Sequence, residues 1–306
     1  MVKTQNLIIR MASAILLLAF VLSFSAFTAS AKESDGGAES RASVKNYLSV
    51  SGISNTKVSQ YSSREISFGG KSLGIKALLI NGTYYVPVRA FLGSVSNFTV
   101  NYNSSTKTVT VSGNGLYLTA SDGSYAVYAN DRVLFEKTPA RLMSDGRVYI
   151  PAKTLAKALG LNLREGAELE FSGSINPIKH ASSFYREDAV YWLSRIISAE
   201  SRGEPLLGQI AVGNVIMNRV ASKDFPNTIY SVIFDKKYGV QFSPTANGTI
   251  YESPAFTAIL AAKICLEGFS VSEDVLYFLA PRYATSSWIE KNRAYVFTVN
   301  NHEFYA

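Results

Sequence analysis

The sequence predicts an α+β chain. An N-terminal module of repeated β-hairpins and short helices is followed by a mostly helical C-terminal domain with a small β-hairpin region. Three observations carry this. Two turn dipeptides, Asn81-Gly82 and Asp145-Gly146, each lead into an aromatic and apolar run that ends at a proline. From Arg186 to Ser222 apolar residues recur at three- and four-residue spacing, the period of a helix face. The C-terminal tail returns to short aromatic and β-branched runs, the composition of strands.

The first segment lies outside the fold. Lys3 and Arg10 form a positive region, Ala12 to Phe27 is almost wholly apolar, and Ala29-Ser30-Ala31 is an A-x-A cleavage site. Residues 1–31 are therefore predicted to be a signal peptide, cut after Ala31. An uncleaved anchor is the alternative. No later stretch is long and apolar enough to span a bilayer, so no membrane association is expected after cleavage. Cys265 is the one cysteine of 306 residues, which excludes an internal disulfide and suits a bacterial envelope. It falls in an apolar helical pattern and reads as a buried core thiol. Cleavage removes Lys3 and Arg10 from 30 basic residues, leaving +5 against 23 acidic ones. That mild excess suits an anionic polymer, or ordinary solubility. No dense Lys/Arg stripe with interleaved aromatics is present, and no nucleic-acid partner is expected.

Residues 32–65 are rich in Ser, Gly and charge and read as a linker, with one short element near Val44-Leu48. The repeat module spans 66–171. Ile66-Phe68 is a strand leading into Gly69-Gly70, and Asn81-Gly82 between apolar runs is a hairpin signal. Pro87 starts a short helix through about Val95. Phe98-Tyr102 and Thr106-Val111 are two further strands. The run from Asp145 to Leu155 repeats the earlier one: Gly82 and Gly146, Tyr85 and Tyr149, and Pro87 and Pro151 are each 64 apart. Gly160 is the C-cap of the second helix, with strands at Leu161-Arg164 and Ala167-Phe171. Residues 172–183 read as a linker and 184–306 as the second domain.

In that domain, helices are predicted over about Arg186–Ser201 and Pro205–Ser222. Val190, Leu193, Ile196 and Ile197 give the first an apolar face, and Glu200 falls on or beside it. A carboxylate carried toward an apolar wall loses hydration, which raises its pKa and suits it to donate a proton near neutral pH. The competing reading is a solvated Glu in the last turn of a helix. Gly203 offers a left-handed C-cap and Pro205 the first turn of the next helix. Gln209, Asn214 and Asn218 either face the hydroxyls of a ligand or bond buried backbone. A short helix follows Phe225-Pro226-Asn227-Thr228-Ile229, and another runs from Ser253 or Pro254 to about Glu267. Tyr277, Phe278 and Trp288 either stack on a ligand's flat face or pack in the core, with core packing preferred for Phe278.

The blocks Ala199-Glu200-Ser201-Arg202-Gly203-Glu204-Pro205, Gly208-Gln209-Ile210-Ala211-Val212, Asn218-Arg219-Val220 and Phe225-Pro226-Asn227-Thr228-Ile229 resemble the catalytic domain of the SleB-like cell wall hydrolases, the spore cortex-lytic enzyme family. Their order matches the family's. The doubled hairpin-proline-helix pattern resembles the stalk-type module named after the N-terminal domain of copper amine oxidase. With only His180 and His302 in the chain, a three-histidine copper site is impossible, and the module reads as a spacer or wall-binding element. The first resemblance implies a lysozyme-like, mostly helical fold that cleaves peptidoglycan glycan strands, secreted to the cell wall or spore envelope. It implies Glu200 as general acid, with Gln241, Ser243, Tyr277 and Trp288 toward the substrate and His302 at a family position. No cofactor and no metal are expected. A two-carboxylate glycosidase needs a second acid at a defined separation, for which Glu204 is a candidate of unpredictable direction. A lytic transglycosylase using one Glu is preferred, with hydrolysis next. Ala280-Pro281 and the tail after Ile289 depart from the family pattern, and a non-catalytic wall-binding or spore structural protein is the alternative from another class.

Overall fold

The computed structural model describes residues 58–284 and 286–306. The signal peptide read at 1–31 and the element read near Val44-Leu48 lie outside the described residues. Strand β1 (Ser62–Phe68) begins four residues earlier than the Ile66 read from the sequence and turns through Gly69-Gly70 into β2 (Lys71–Ile80). Asn81 and Gly82, with φ of 49° and 77°, turn β2 into β3 (Thr83–Pro87). Two central residues at positive φ match the twist of the flanking strands. Helix α1 (Val88–Val95) follows directly, burying Val88, Phe91 and Leu92.

Strands β4 (Thr99–Asn103) and β5 (Thr108–Gly113) agree with the sequence reading. The next three, β6 (Leu116–Ser121), β7 (Ala126–Ala129) and β8 (Arg132–Phe135), occupy a stretch where no element was read. Together they form the five-stranded antiparallel sheet β4-β5-β6-β7-β8. Chemistry hid them: β6 is buried at every position but Tyr117, so it lacks polar alternation, and β7 and β8 are four residues each.

Strands β9 (Arg141–Leu142) and β10 (Val148–Pro151), helix α2 (Ala152–Leu159), and β11 (Asn162–Glu165) with β12 (Leu169–Ser172) complete the N-terminal region. The larger sheet has seven strands in the order β11-β12-β1-β2-β3-β10-β9, with β12 parallel to β1. At its centre β3 and β10 pair antiparallel, Tyr149 opposite Pro87, Ile150 opposite Val86 and Pro151 opposite Tyr85. Ile66, Val86, Phe91, Leu118, Ile150, Leu155 and Phe171 lie in one buried cluster shared by both sheets and both helices.

Gly160 takes the left-handed C-cap position, with φ 67°. An ideal Cβ there would lie 2.1 Å from the carbonyl oxygen of Asn176, so only glycine lets the following segment fold back. That segment is strapped down: Asn176 and Ile178 donate their amides to the carbonyls of Leu159 and Ala158. The read linker also holds most of helix α3 (Ala181–Phe184).

Two long helices follow, α4 (Glu187–Ser201) and α5 (Leu206–Ala221), then short α6 (Ile229–Ile233) and α7 (Pro244–Asn247), and α8 (Phe256–Leu266). Helix α5 is the hub: Leu206 to Ile216 is buried without a break. It packs between α4 and α8, and at Gly213 an added Cβ would meet Cys265 Sγ at 2.6 Å and Ile197 Cδ1 at 2.9 Å. Cys265 is buried, as expected, and burial pushes its thiol pKa up. The chain ends with β13 (Tyr277–Leu279), α9 (Trp288–Asn292), β14 (Tyr295–Val299) and β15 (His302–Tyr305), in a sheet ordered β13-β15-β14.

The two regions share a contact. Ala126 and Val133 of the five-stranded sheet belong to the helical region's apolar cluster, and the Phe135 and Phe269 rings meet edge to face at 4.8 Å. Beside them Arg132 donates two hydrogen bonds to Glu267, at 2.8 and 2.7 Å, with both side chains nearly buried. Tyr185 and Lys157 donate to the same carboxylate. Burial pulls Glu267 toward a higher pKa, but these donors outweigh it and hold the group ionised. No helix among the described residues is long and apolar enough to cross a membrane.

Candidate active site

The end of α4 sets the site. Leu193, Ile196 and Ile197 are fully buried, and Glu200, one turn on, is half-buried at the rim of that face. Ser201 Oγ donates to the Ile197 carbonyl at 2.6 Å, and the Glu204 amide donates to the Ser201 carbonyl at 2.9 Å. This right-handed turn corrects the reading of Gly203 as a left-handed C-cap. The capping position is Arg202 at φ −52°, and Gly203 is absent from the positive-φ glycines. Pro205 sits at the N-cap of α5, one residue before the helix.

Burial pushes the Glu200 carboxyl up to about 7, while the nearby His302 pulls it down. The two carboxylates of this turn behave oppositely. Glu204 is 8% exposed and accepts from Asn300 Nδ2 at 3.2 Å, Asn301 Nδ2 at 3.0 Å and the Asn301 amide at 3.4 Å. Burial raises its pKa, but His302 and Asn301 lower it further, and the balance falls below the ordinary value. Gly208 makes room for it, since a Cβ there would lie 3.1 Å from the Glu204 Cβ. Glu204 therefore ties the β14–β15 turn to the α4–α5 junction.

His302 completes the row. It is 8% exposed, its Nδ1 lies 3.3 Å from Glu204 Oε1 off the line of a hydrogen bond, and its ring packs 5.6 Å from that of Phe278. A carboxyl with a pKa of about 7 and an ionised one, both acted on by the charge of His302, form an arrangement that can deliver a proton from Glu200 while Glu204 stays charged.

The other candidate residues fall differently. Tyr277 and Trp288 are together, ring centroids 6.4 Å apart, and Trp288 is 50% exposed. Gln241 joins them through Arg219, whose Nη1 donates to Gln241 Oε1 at 3.4 Å. Ser243 is exposed at the start of α7, and no contact among the described residues brings it into this cluster. Phe278 packs on Phe242 and Phe304, a core position as preferred from sequence. Asn214 and Asn218 bond the backbone of Phe269, Val271, Ser272 and Val275, so these amides fasten the segment before β13. Sequence reasoning passed over Asn300, Asn301 and Arg219. The first two acquire meaning only through a contact almost a hundred residues away. Arg219 stood within a quoted block without an assigned task.

Residues 203–305 match the family model described as Cell Wall Hydrolase, and residues 68–169 match that of the copper amine oxidase N-terminal domain. The resemblances read in both halves stand on these matches, although the first begins just beyond Glu200. The spore cortex-lytic enzyme of Bacillus cereus is 41% identical over 105 residues, which are 34% of this chain and 39% of that protein. That of Bacillus subtilis is 41% identical over 97 residues, 32% of this chain and 31% of the relative. The chain thus spans well under half the length of these curated relatives. A solved structure, the catalytic domain of the germination-specific lytic transglycosylase SleB from Bacillus anthracis, is 38% identical. It covers 40% of this chain and 97% of its own, with a TM-score of 0.37.

Proposed function

We propose that the chain cleaves peptidoglycan glycan strands, with Glu200 as the acid that protonates the leaving glycosidic oxygen. The observation that carries this is the pair Glu200 and Glu204: one carboxyl desolvated to a pKa of about 7, the other tied into hydrogen bonds and ionised. A group with pKa near the working pH both gives and takes a proton. The names of the similar proteins, spore cortex-lytic enzymes and a lytic transglycosylase, support the same reading.

In the preferred mechanism Glu200 first hands its proton to the glycosidic oxygen as the bond to the muramic C1 breaks. The resulting carboxylate then takes the proton of the muramic C6 hydroxyl as that oxygen bonds C1, leaving a 1,6-anhydro end. Glu204 is occupied by Asn300 and Asn301, which favours this one-acid route over a nucleophile or base at Glu204. Tyr277 and Trp288 offer aromatic faces to sugar rings, and Gln241 and Ser243 polar groups.

The proposed layout is a signal peptide at 1–31, linkers at 32–65 and 172–183, a duplicated stalk or wall-binding module at 66–171, and a lysozyme-like catalytic domain at 184–306. The module's duplication is supported by helices at 88–95 and 152–159, each following a strand that ends in proline. The proposed site of action is outside the cytoplasm, in the cell wall or spore envelope.

Digestion of purified cortex and vegetative peptidoglycan by the mature protein and by Glu200→Gln, with products read by mass spectrometry, tests this. Anhydro-muramic ends from the wild type, reduced roughly 10²–10⁴-fold in the variant, are expected. Reducing ends would replace transglycosylation with hydrolysis. Equal cleavage by both proteins would remove Glu200 from the chemistry, and binding without cleavage would leave a wall-binding protein.

A further inference from the structure

Arg219 lies on α5 at 5% exposure, its guanidinium carbon 4.8 Å from the ring centroid of Phe225 and 5.3 Å from those of Phe242 and Tyr277. Its Nε donates to the Leu276 carbonyl at 2.7 Å and its Nη1 to Gln241. No carboxylate among the described residues lies within ion-pair distance of it; Asp235 acts only as a more distant charge. Burial accordingly lowers its pKa to about 10. A second guanidinium stands on the same ring: Arg293 lies 4.5 Å from the Tyr277 centroid and 5.0 Å from that of Trp288. Its Nε is buried without a hydrogen-bond partner, and it too has no carboxylate at ion-pair distance among the described residues.

Two arginines within 5.3 Å of the centre of one tyrosine ring repel each other, and a buried charge without a counter-ion is costly. Arg132, by contrast, is paired with Glu267. A ligand anion would supply what is missing, since guanidinium–carboxylate hydrogen bonds are strong and directional. The half-exposed indole of Trp288 lies beside the pair and offers a flat apolar face for a sugar ring.

From this juxtaposition we propose that Arg219 and Arg293, with Tyr277 and Trp288, form a subsite for a carboxylate carried on a sugar. The anion bonds the Arg293 guanidinium, with the buried charge of Arg219 behind the same tyrosine adding to the attraction, while the ring lies on Trp288. The inference rests on the glycan-cleaving reading and narrows it: the recognised sugar bears an acidic substituent, such as the peptide stem of muramic acid, rather than being neutral.

The test uses the full mature protein carrying Glu200→Gln, with binding followed by calorimetry. Two probes are compared, N-acetylmuramoyl-dipeptide with a free carboxylate and the same molecule with its carboxylates amidated. The acid is expected to bind about tenfold more tightly, the worth of one charged hydrogen bond. Arg293→Gln is expected to abolish that difference and Arg293→Lys to restore part of it. Arg293 is chosen because it is half-buried, whereas Arg219 is part of the packed interior. Equal affinity for the two probes, no binding of either, or a preference that survives Arg293→Gln would overturn the subsite. Displacement of the acid by inorganic phosphate at equal concentration would assign the anion to phosphate and overturn the carboxylate. Binding is read without turnover, so failure here leaves wall cleavage by the wild type standing. Failure to cleave leaves the charge preference measurable.

Discussion

At the scale of single residues, Glu200 and Glu204 share a helix turn and respond oppositely to pH. Glu200 has its folded pKa raised from 4.5 to about 7. Its neutral form is favoured by the fold, so the stability it contributes is complete below 4.5 and lost as pH rises through 7. The loss is ~3 kcal/mol. Glu200→Gln, a neutral isostere, is therefore expected to match the wild type in urea unfolding at pH 4 and to exceed it at pH 8. Cleavage itself should fall on the alkaline side with a midpoint near 7, read from a pH–rate profile. Glu204 has the lowered pKa, and its stabilisation is present above 4.5 and lost on acidification. Glu204→Ala leaves Asn300 and Asn301 unanswered and frees the β14–β15 turn. A loss of about 1–3 kcal/mol in the unfolding free energy at pH 7 is expected. The apolar face beside Glu200 was legible at three- and four-residue spacing along its own helix, and the family blocks around it singled the residue out. The task of Glu204 depends on residues brought to it from the far end of the chain.

At the scale of elements, the same distinction separates what was read from what was missed. The Asn81-Gly82 hairpin, the Gly160 cap and the long helices announce themselves through local chemistry. Strands β6 to β8 carry no such signal, since their buried faces on both sides are made by partners distant in sequence. The turn at Gly203 shows that even a glycine after a helix need not adopt positive φ when a right-handed turn satisfies the chain. Gly213 is a sharper case. It reads as one more small residue in a helix, yet it sits where α4, α5 and α8 crowd together. Gly213→Ala gains helix propensity but must displace Cys265 and Ile197. A net destabilisation of about 1–3 kcal/mol, seen as a lowered melting temperature, is expected.

Over the whole molecule, the buried Arg132–Glu267 pair ties the sheet region to the helical one. Removing one partner strands the other: Glu267→Ala is expected to cost about 3–5 kcal/mol in denaturant unfolding. Replacing both, Arg132→Met with Glu267→Leu, should recover most of that loss, because the penalty lies in the orphaned charge. Limited proteolysis should follow the same order, with cutting of 173–180 enhanced in the single variant alone.

The centre of the seven-stranded sheet has one more consequence. Val86 faces its own equivalent, Ile150, while Tyr85 faces the equivalent of Pro87 and Pro87 faces the equivalent of Tyr85, so the ladder is reciprocal under the 64-residue offset. Such reciprocity is the signature of an isologous interface. A half-length ancestor bearing this strand once would have met the identical strand of a sister molecule in the same register. Fusing two such halves into one chain would seal that contact surface as interior.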